Sequence, residues 1–324
     1  MDLFDGVRLR EDAGPLERLA RKALAAYGLE DARLDLVARA EHTLFRTFDR
    51  VTRTAHAVRT YPRGWDRARI LRSLFWLASL RREGRELVPE PVLTRSGELV
   101  QSLSTPGVSG FRQVSLVSWL DGQVLAPSEW SFEHAHRLGR AIAELHRHAE
   151  TFELPPDLTP NRRDAEALRE EIDPARLARA VSPEDENLFA RAVEAACNVM
   201  SDAGTGPEVA GLIHANLTPK HVLFGDEDAR PIGFSRVRWG YYAYDLATVE
   251  LAVRSLENAP ELVRGLLAGY EEVRPLPADA GEGLVSFAAL RLLDELLAVA
   301  ATAEGANSAS TTRRLVERLR AILA

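Results

Sequence analysis

From residue 128 to residue 324 the sequence reads as one helix after another, broken once by a β-rich island at residues 211–239. The helical runs carry apolar residues at three- and four-residue spacing. They cover Glu133–His148, with Ser131 placed as an N-cap, then 164–180, 184–202, Tyr244–Leu256, Pro260–Val273, Leu284–Ala303 and Thr311–Leu323. The polar stretch Glu304–Ser310 reads as a linker. The first third has a different rhythm. After an amphipathic helix at residues 15–27, short β-branched or aromatic runs at Leu34–Ala38, Thr43–Phe48, Ala55–Thr60, Leu99–Leu103 and Gln113–Trp119 predict strands. One helix, Arg67–Arg82, lies among them, with Ile70, Leu71, Leu74, Leu77 and Leu80 as its apolar stripe. The pattern predicts an α+β chain. A small sheet-bearing domain spans residues 1–120, a crossover lies near Trp119–Ser128, and a larger helical domain spans residues 121–324.

Bulk properties remove several classes of function. A net charge of −7 argues against general nucleic-acid binding, which wants a basic face. The single cysteine, Cys197, cannot form an intramolecular disulfide or a thiolate cluster, and it sits in a helical run as a small core residue. The start, Met1-Asp2-Leu3-Phe4-Asp5, is acidic and lacks a secretion signature. No window approaches 18 uninterrupted apolar residues, so no membrane span is expected. A cytoplasmic protein is the expectation.

The island holds the densest set of unusual residues. It reads Gly211-Leu-Ile-His214-Ala-Asn216-Leu-Thr-Pro-Lys-His221-Val-Leu-Phe224, then Arg230-Pro-Ile-Gly233-Phe234-Ser235-Arg-Val-Arg-Trp-Gly240, with Asp245 just beyond. This resembles the catalytic loop and metal-binding segment of the aminoglycoside phosphotransferase and homoserine kinase family, distant relatives of protein kinases. In that family the loop is His-x-Asp with an Asn five positions after the Asp, and the second segment reads Ile-Asp-Phe-Asp. Other stretches agree in order and spacing: Ala57-Val58-Arg59, Trp119-Leu-Asp-Gly122, the helix from Arg137 to His148, Gly269-Tyr270 and Arg274-Pro-Leu-Pro277. The resemblance covers roughly residues 35–280. It implies a protein-kinase-like two-lobed fold, with an antiparallel-sheet N-terminal lobe and a mainly helical C-terminal lobe holding the island at 211–240.

The departures from the family pattern bear on function. Asn216 stands where the family has its catalytic Asp, and His221 where it has a metal-binding Asn. Gly233 replaces the metal-binding Asp, and Ser235 the acid two residues on. Ser73 falls where a glutamate usually orients the basic residue of the nucleotide strand. His214 and Asp245 match residues that brace the loop. An Asn has no usable basicity near pH 7. Magnesium wants oxygen ligands, Gly233 offers no side chain, and an imidazole suits magnesium poorly. No intact catalytic set is expected, and no metal site. The expectation is a pseudokinase, a non-catalytic binding or regulatory module with an unknown small molecule or protein as partner. The alternative is a phosphotransferase acting on a hydroxyl, using ATP and magnesium through relocated groups such as Asp226, Glu227 or Asp228.

Other residues have two readings. Arg59 either contacts phosphate or is a solvated strand residue. The stretch Arg39-Ala40-Glu41-His42-Thr43 sits where the family has its phosphate loop and lacks glycine. Arg230, Arg236 and Arg238 are either an anion-attracting cluster or a solvated rim. His134, His136, His146 and His148 read as surface or core-edge residues, and Trp239, Tyr241, Tyr242 and Tyr244 as packing residues.

Overall fold

Residue contacts in the computed structural model fall into two compact units: Met1–Gln123 with Leu154–Thr159 and Ile232–Arg236, and the remainder of the chain. The structure describes residues 13–39, 42–277, 280, 283–302 and 306–324. The N-terminal Met1–Asp5 signature and residues 40 and 41 of the stretch at 39–43 lie outside them.

The first unit is built on an antiparallel sheet of six strands: β1 (Arg33–Arg39), β2 (Thr43–Phe48), β3 (Ala55–Thr60), β4 (Pro91–Val92), β5 (Val100–Leu103) and β6 (Arg112–Ser118). Their order is β1-β2-β3-β6-β4, with β5 also paired to β6. Helix α1 (Ala13–Tyr27) buries Leu19, Ala20 and Leu24 in one cluster with Leu34, Phe45, Val58, Val114 and Leu116 from the sheet. The alternation of the strands supplies that face, as period-two patterning requires. Helix α2 (Arg67–Arg82) starts at Asp66, whose side chain accepts from the Ala68 N–H. It buries Ile70, Leu74, Trp76, Leu77 and Leu80, while Leu71 is only half-buried. Trp76 meets Phe234 edge to face at 5.8 Å, which ties Ile232–Arg236 into this unit.

The second unit is mainly helical. It contains α3 (Phe132–Ala149), α4 (Ala165–Glu171), α5 (Pro174–Val181), α6 (Glu186–Ala203), α7 (Tyr242–Val253), α8 (Ala259–Glu271), α9 (Gly283–Thr302) and α10 (Ala306–Ile322). Two small antiparallel ladders interrupt them. One pairs β7 (Ala210–Ile213) with β10 (Arg238–Tyr241); the other pairs β8 (Val222–Phe224) with β9 (Ala229–Pro231). Helices α3 and α8 pack closely because each presents glycine to the other. A Cβ at Gly139 would run into the Leu266 carbonyl, and one at Gly269 into the His136 carbonyl. Cys197 is buried on α6, and its thiol donates to the Ala165 carbonyl at 3.4 Å.

Two expectations need correction, and one short strand was not expected. Residues 164–180 form two helices, not one. Pro174 forces Asp173 out of the α region, and Asp173 then caps α5 by accepting from Ala175 and Arg176. The described part of the expected linker, from Ala306 onward, is already helix. Small polar residues cost a helix only tenths of a kcal/mol each, and buried Leu315, Val316 and Leu319 hold the rest of α10 in place. The strand at Pro91–Val92 gave no period-two signal, being two residues long. Among the described residues, no helix is long and apolar enough to cross a membrane.

Candidate functional site

In the second unit the island's loop leaves β7 at His214 and enters β8 at Val222. Asp245, fully buried near the start of α7, holds its first turn. Its Oδ2 accepts from the His214 backbone N–H and its Oδ1 from the Ala215 N–H, each at 2.8 Å. Ala215 is held at φ 59, a left-handed conformation that side-chain-bearing residues rarely adopt. Two charge-assisted bonds from one carboxylate supply the constraint that such a conformation needs. The Asn216 N–H then donates to His214 Nδ1 at 3.2 Å. The Asn216 carbonyl accepts from His221 Nδ1 at 2.8 Å. His214, Asn216 and His221 are therefore brought together, with Asp245 beneath them.

Asp245 is itself held from α3 and α8. His146 Nε2 lies 3.3 Å from its Oδ2, and His146 Nδ1 lies 2.9 Å from the Tyr270 hydroxyl. Arg274 donates to the same hydroxyl at 2.9 Å. Burial pushes the His146 pKa down despite the nearby carboxylate, so the ring is neutral at pH 7. A neutral ring facing a carboxylate carries its proton on Nε2, and Nδ1 then accepts from Tyr270. Burial alone would raise the Asp245 carboxyl. Its hydrogen bond and charge interaction with His146, together with His214, hold it below the usual carboxylate range. The expectation that His146 and His148 lie at the surface or core edge is wrong: they are 0% and 4% exposed. The His146 ring stacks on Tyr242 of α7 and meets Tyr270 of α8, and His148 packs against Phe152, contacts that a single helix's pattern does not reveal.

The loop also has a partner that the sequence did not signal. Arg291 of α9 donates from Nη2 to the Asn216 side-chain Oδ1 at 3.1 Å and from Nη1 to the Ala215 carbonyl at 3.4 Å. It is only 4% exposed and is paired with Glu295 at 3.0 Å. Next to it on α9, Asp294 binds Arg163 at 2.6 Å, Arg238 at 2.9 Å and the Tyr244 hydroxyl at 2.7 Å. Burial opposes the Asp294 charge, but Arg163 and Arg238 outweigh it and hold the carboxyl far below its ordinary value. Arg238 is thus no solvated rim residue, and Arg230 is paired with Asp228 at 2.9 Å. Tyr241, Tyr242 and Tyr244 are buried as packing residues, and the Arg162 guanidinium lies over the Trp239 ring at 5.7 Å.

The first unit carries the other expected positions. Gly233 has φ 78, and its carbonyl accepts from the Ser235 N–H at 2.7 Å. Arg69 donates to the Ser235 carbonyl at 2.9 Å. Arg59 stands on β3 between Leu44 and Ser115. It is 5% exposed, which excludes the solvated reading. Among the described residues no carboxylate pairs with it, and its Nε has no hydrogen-bond partner. Ser73 is buried and donates to the Ile70 carbonyl, so it supplies no acid to Arg59. A buried, unpaired guanidinium suits an anion.

Magnesium does not fit the residues at the family's metal positions. Gly233 has no donor side chain, and the Nδ1 of His221 is committed to the loop's own carbonyl. Among the described residues no group of three or more His, Cys, Asp or Glu is placed to hold a metal.

Comparison with known proteins agrees with this geometry. Residues 35–282 match the phosphotransferase enzyme family. The chain is similar to homoserine kinase of Chelativorans sp., at 32% identity over 237 residues, covering 72% of this chain and 69% of that one. It is similar to homoserine kinase of Rhizobium etli at 31% identity over 195 residues; there the match spans 59% of this chain but only 56% of the relative's length. In fold it is similar to a microcompartment-associated aminopropanol kinase, with a TM-score of 0.77, 24% identity, and coverage of 94% and 95% of the two chains. The sequence match and the shared fold agree, and the chain belongs to the phosphotransferase enzyme family.

Proposed function

We propose that this family member is a pseudokinase: it binds a ligand but does not transfer a phosphoryl group by the family's metal-dependent route. One observation carries the reading. The position of the family's base is an amide, Asn216, and its oxygen is already engaged by the Arg291 guanidinium. An amide cannot accept the nucleophile's proton near neutral pH. The residues at 221, 233 and 235 support the same reading, because they remove the carboxylates and amide that would carry the metal. Loss of one such group costs on the order of 10²–10³ in rate. The expected result is no ATP consumption above a no-protein blank. In thermal shift, ADP or ATP is expected to act equally with and without magnesium. A magnesium-dependent shift of several degrees would sink the proposal.

The relatives favour a second reading, an ATP-dependent phosphotransferase acting on the hydroxyl of a small molecule. Its support is the similarity to homoserine kinases and to the fold of an aminopropanol kinase. It needs a carboxylate from outside the family positions. The nearest in sequence, Asp226 to Asp228, lie in the β8–β9 turn, where Asp228 is tied to Arg230. ADP release with homoserine or aminopropanol as acceptor, lost in Arg59→Ala, would establish this reading in place of the first.

A further inference from the structure

The orientation of the Asn216 amide is fixed by chemistry. Arg291 has five N–H donors and no acceptor, so the atom it meets at 3.1 Å must be the carboxamide oxygen. The Nδ2 group, with two hydrogens, then faces away from the guanidinium. Among the described residues no partner takes those hydrogens. Arg291 is anchored twice more, on the Ala215 carbonyl and on Glu295, so it cannot swing aside without losing three contacts. A family carboxylate at 216 would accept a proton from a bound hydroxyl. Here the same position presents hydrogen-bond donors and no charge. The family's acids are also absent from the sequence at 233 and 235.

We propose that Asn216, oriented by Arg291, donates hydrogen bonds to an oxyanion, so that the loop takes a carboxylate- or phosphate-bearing ligand in place of a cationic amino alcohol. This rests on the reading that position 216 is not a catalytic base. Arg291 is the positioning residue: it acts by fixing which end of the amide points outward.

The test is titration of the full chain with inorganic phosphate, acetate and ethanolamine, followed by the Asn216 side-chain amide signals in a 15N-resolved spectrum and by calorimetry. Each ligand is titrated into the unmodified chain, Asn216→Asp, Asn216→Leu and Arg291→Lys, with Arg59→Ala as a control for anions held in the first unit. One of the two oxyanions is expected to shift the Asn216 amide signals and to bind; which one identifies the ligand's anionic group. Asn216→Asp, which folds around the same Arg291 contact, is expected to weaken that anion by roughly tenfold or more, since a hydrogen bond to a charged group is replaced by like-charge repulsion. Arg59→Ala is expected to leave the amide shift intact. Ethanolamine is expected to leave the unmodified chain's signals unmoved. Amide signals unmoved by both anions, or equal anion affinity in Asn216→Asp, would overturn the proposal. ATP turnover by the unmodified chain, by contrast, would overturn the pseudokinase reading and leave these binding outcomes to be judged separately.

Discussion

Asp245 uses both carboxylate oxygens to hold the backbone at His214 and Ala215. Its removal leaves two buried N–H groups without acceptors, at about 1–3 kcal/mol each, so Asp245→Ala is expected to lower unfolding free energy by roughly 2–6 kcal/mol. Urea midpoints measure this, and a loss under 1 kcal/mol would contradict it. The same network sets a pH dependence. His146 has its folded pKa depressed below 6.5, so the unfolded state binds the proton more readily. Its contribution is fully present above pH 6.5 and is lost as pH falls through the folded pKa. Half-buried His56 is shifted the same way and adds to that window, while Asp245, depressed from 3.8, adds a further loss at more acid pH. Stability is expected to fall as pH drops below 6.5, by up to about 1.4 kcal/mol per pH unit for fully buried His146. A midpoint that stays flat from pH 7.5 to 5 would show that His146 titrates normally.

At the scale of elements, the α3–α8 seam depends on backbone approaching backbone. Gly139→Ala and Gly269→Ala each place a methyl against a carbonyl that cannot rotate away, and each is expected to cost about 1–3 kcal/mol through overpacking. A neutral result for both in thermal denaturation would mean the seam is looser than described. Most elements were legible in the sequence, since β2, β3 and α2 lie where β-branched or aromatic content and the apolar stripe place them. The break at Asp173-Pro174 was missed because the apolar pattern runs on across it, although proline carried the signal. The candidate loop was legible only in its own letters. His214, Asn216, His221 and Asp245 lie within 32 residues of one another and fall together. Arg291 lies 75 residues from Asn216, and nothing local in the sequence announces that a buried guanidinium will reach that amide.

For the molecule as a whole, the proposed reading is that the scaffold is kept while the family's chemistry is lost. Fold and sequence place the chain in the phosphotransferase enzyme family over residues 35–282. The bracing residues remain: Asp245 holds the loop, and buried His146, Tyr270 and Arg274 hold Asp245. The groups that phosphoryl transfer needs are replaced at 216, 221, 233 and 235. Because positions 221, 233 and 235 are changed as well, restoring the carboxylate at 216 alone is not expected to restore activity. Asn216→Asp would face Arg291, whose charge would hold the new carboxylate ionised and paired, making it a poor base. That variant is expected to stay inactive and to fold normally. The most direct test of the central claim is a sensitive ADP-release assay on the unmodified chain with ATP, magnesium and a panel of hydroxyl acceptors. The account predicts a rate indistinguishable from the blank with every acceptor; acceptor-dependent ADP release that disappears on chelating magnesium would contradict it.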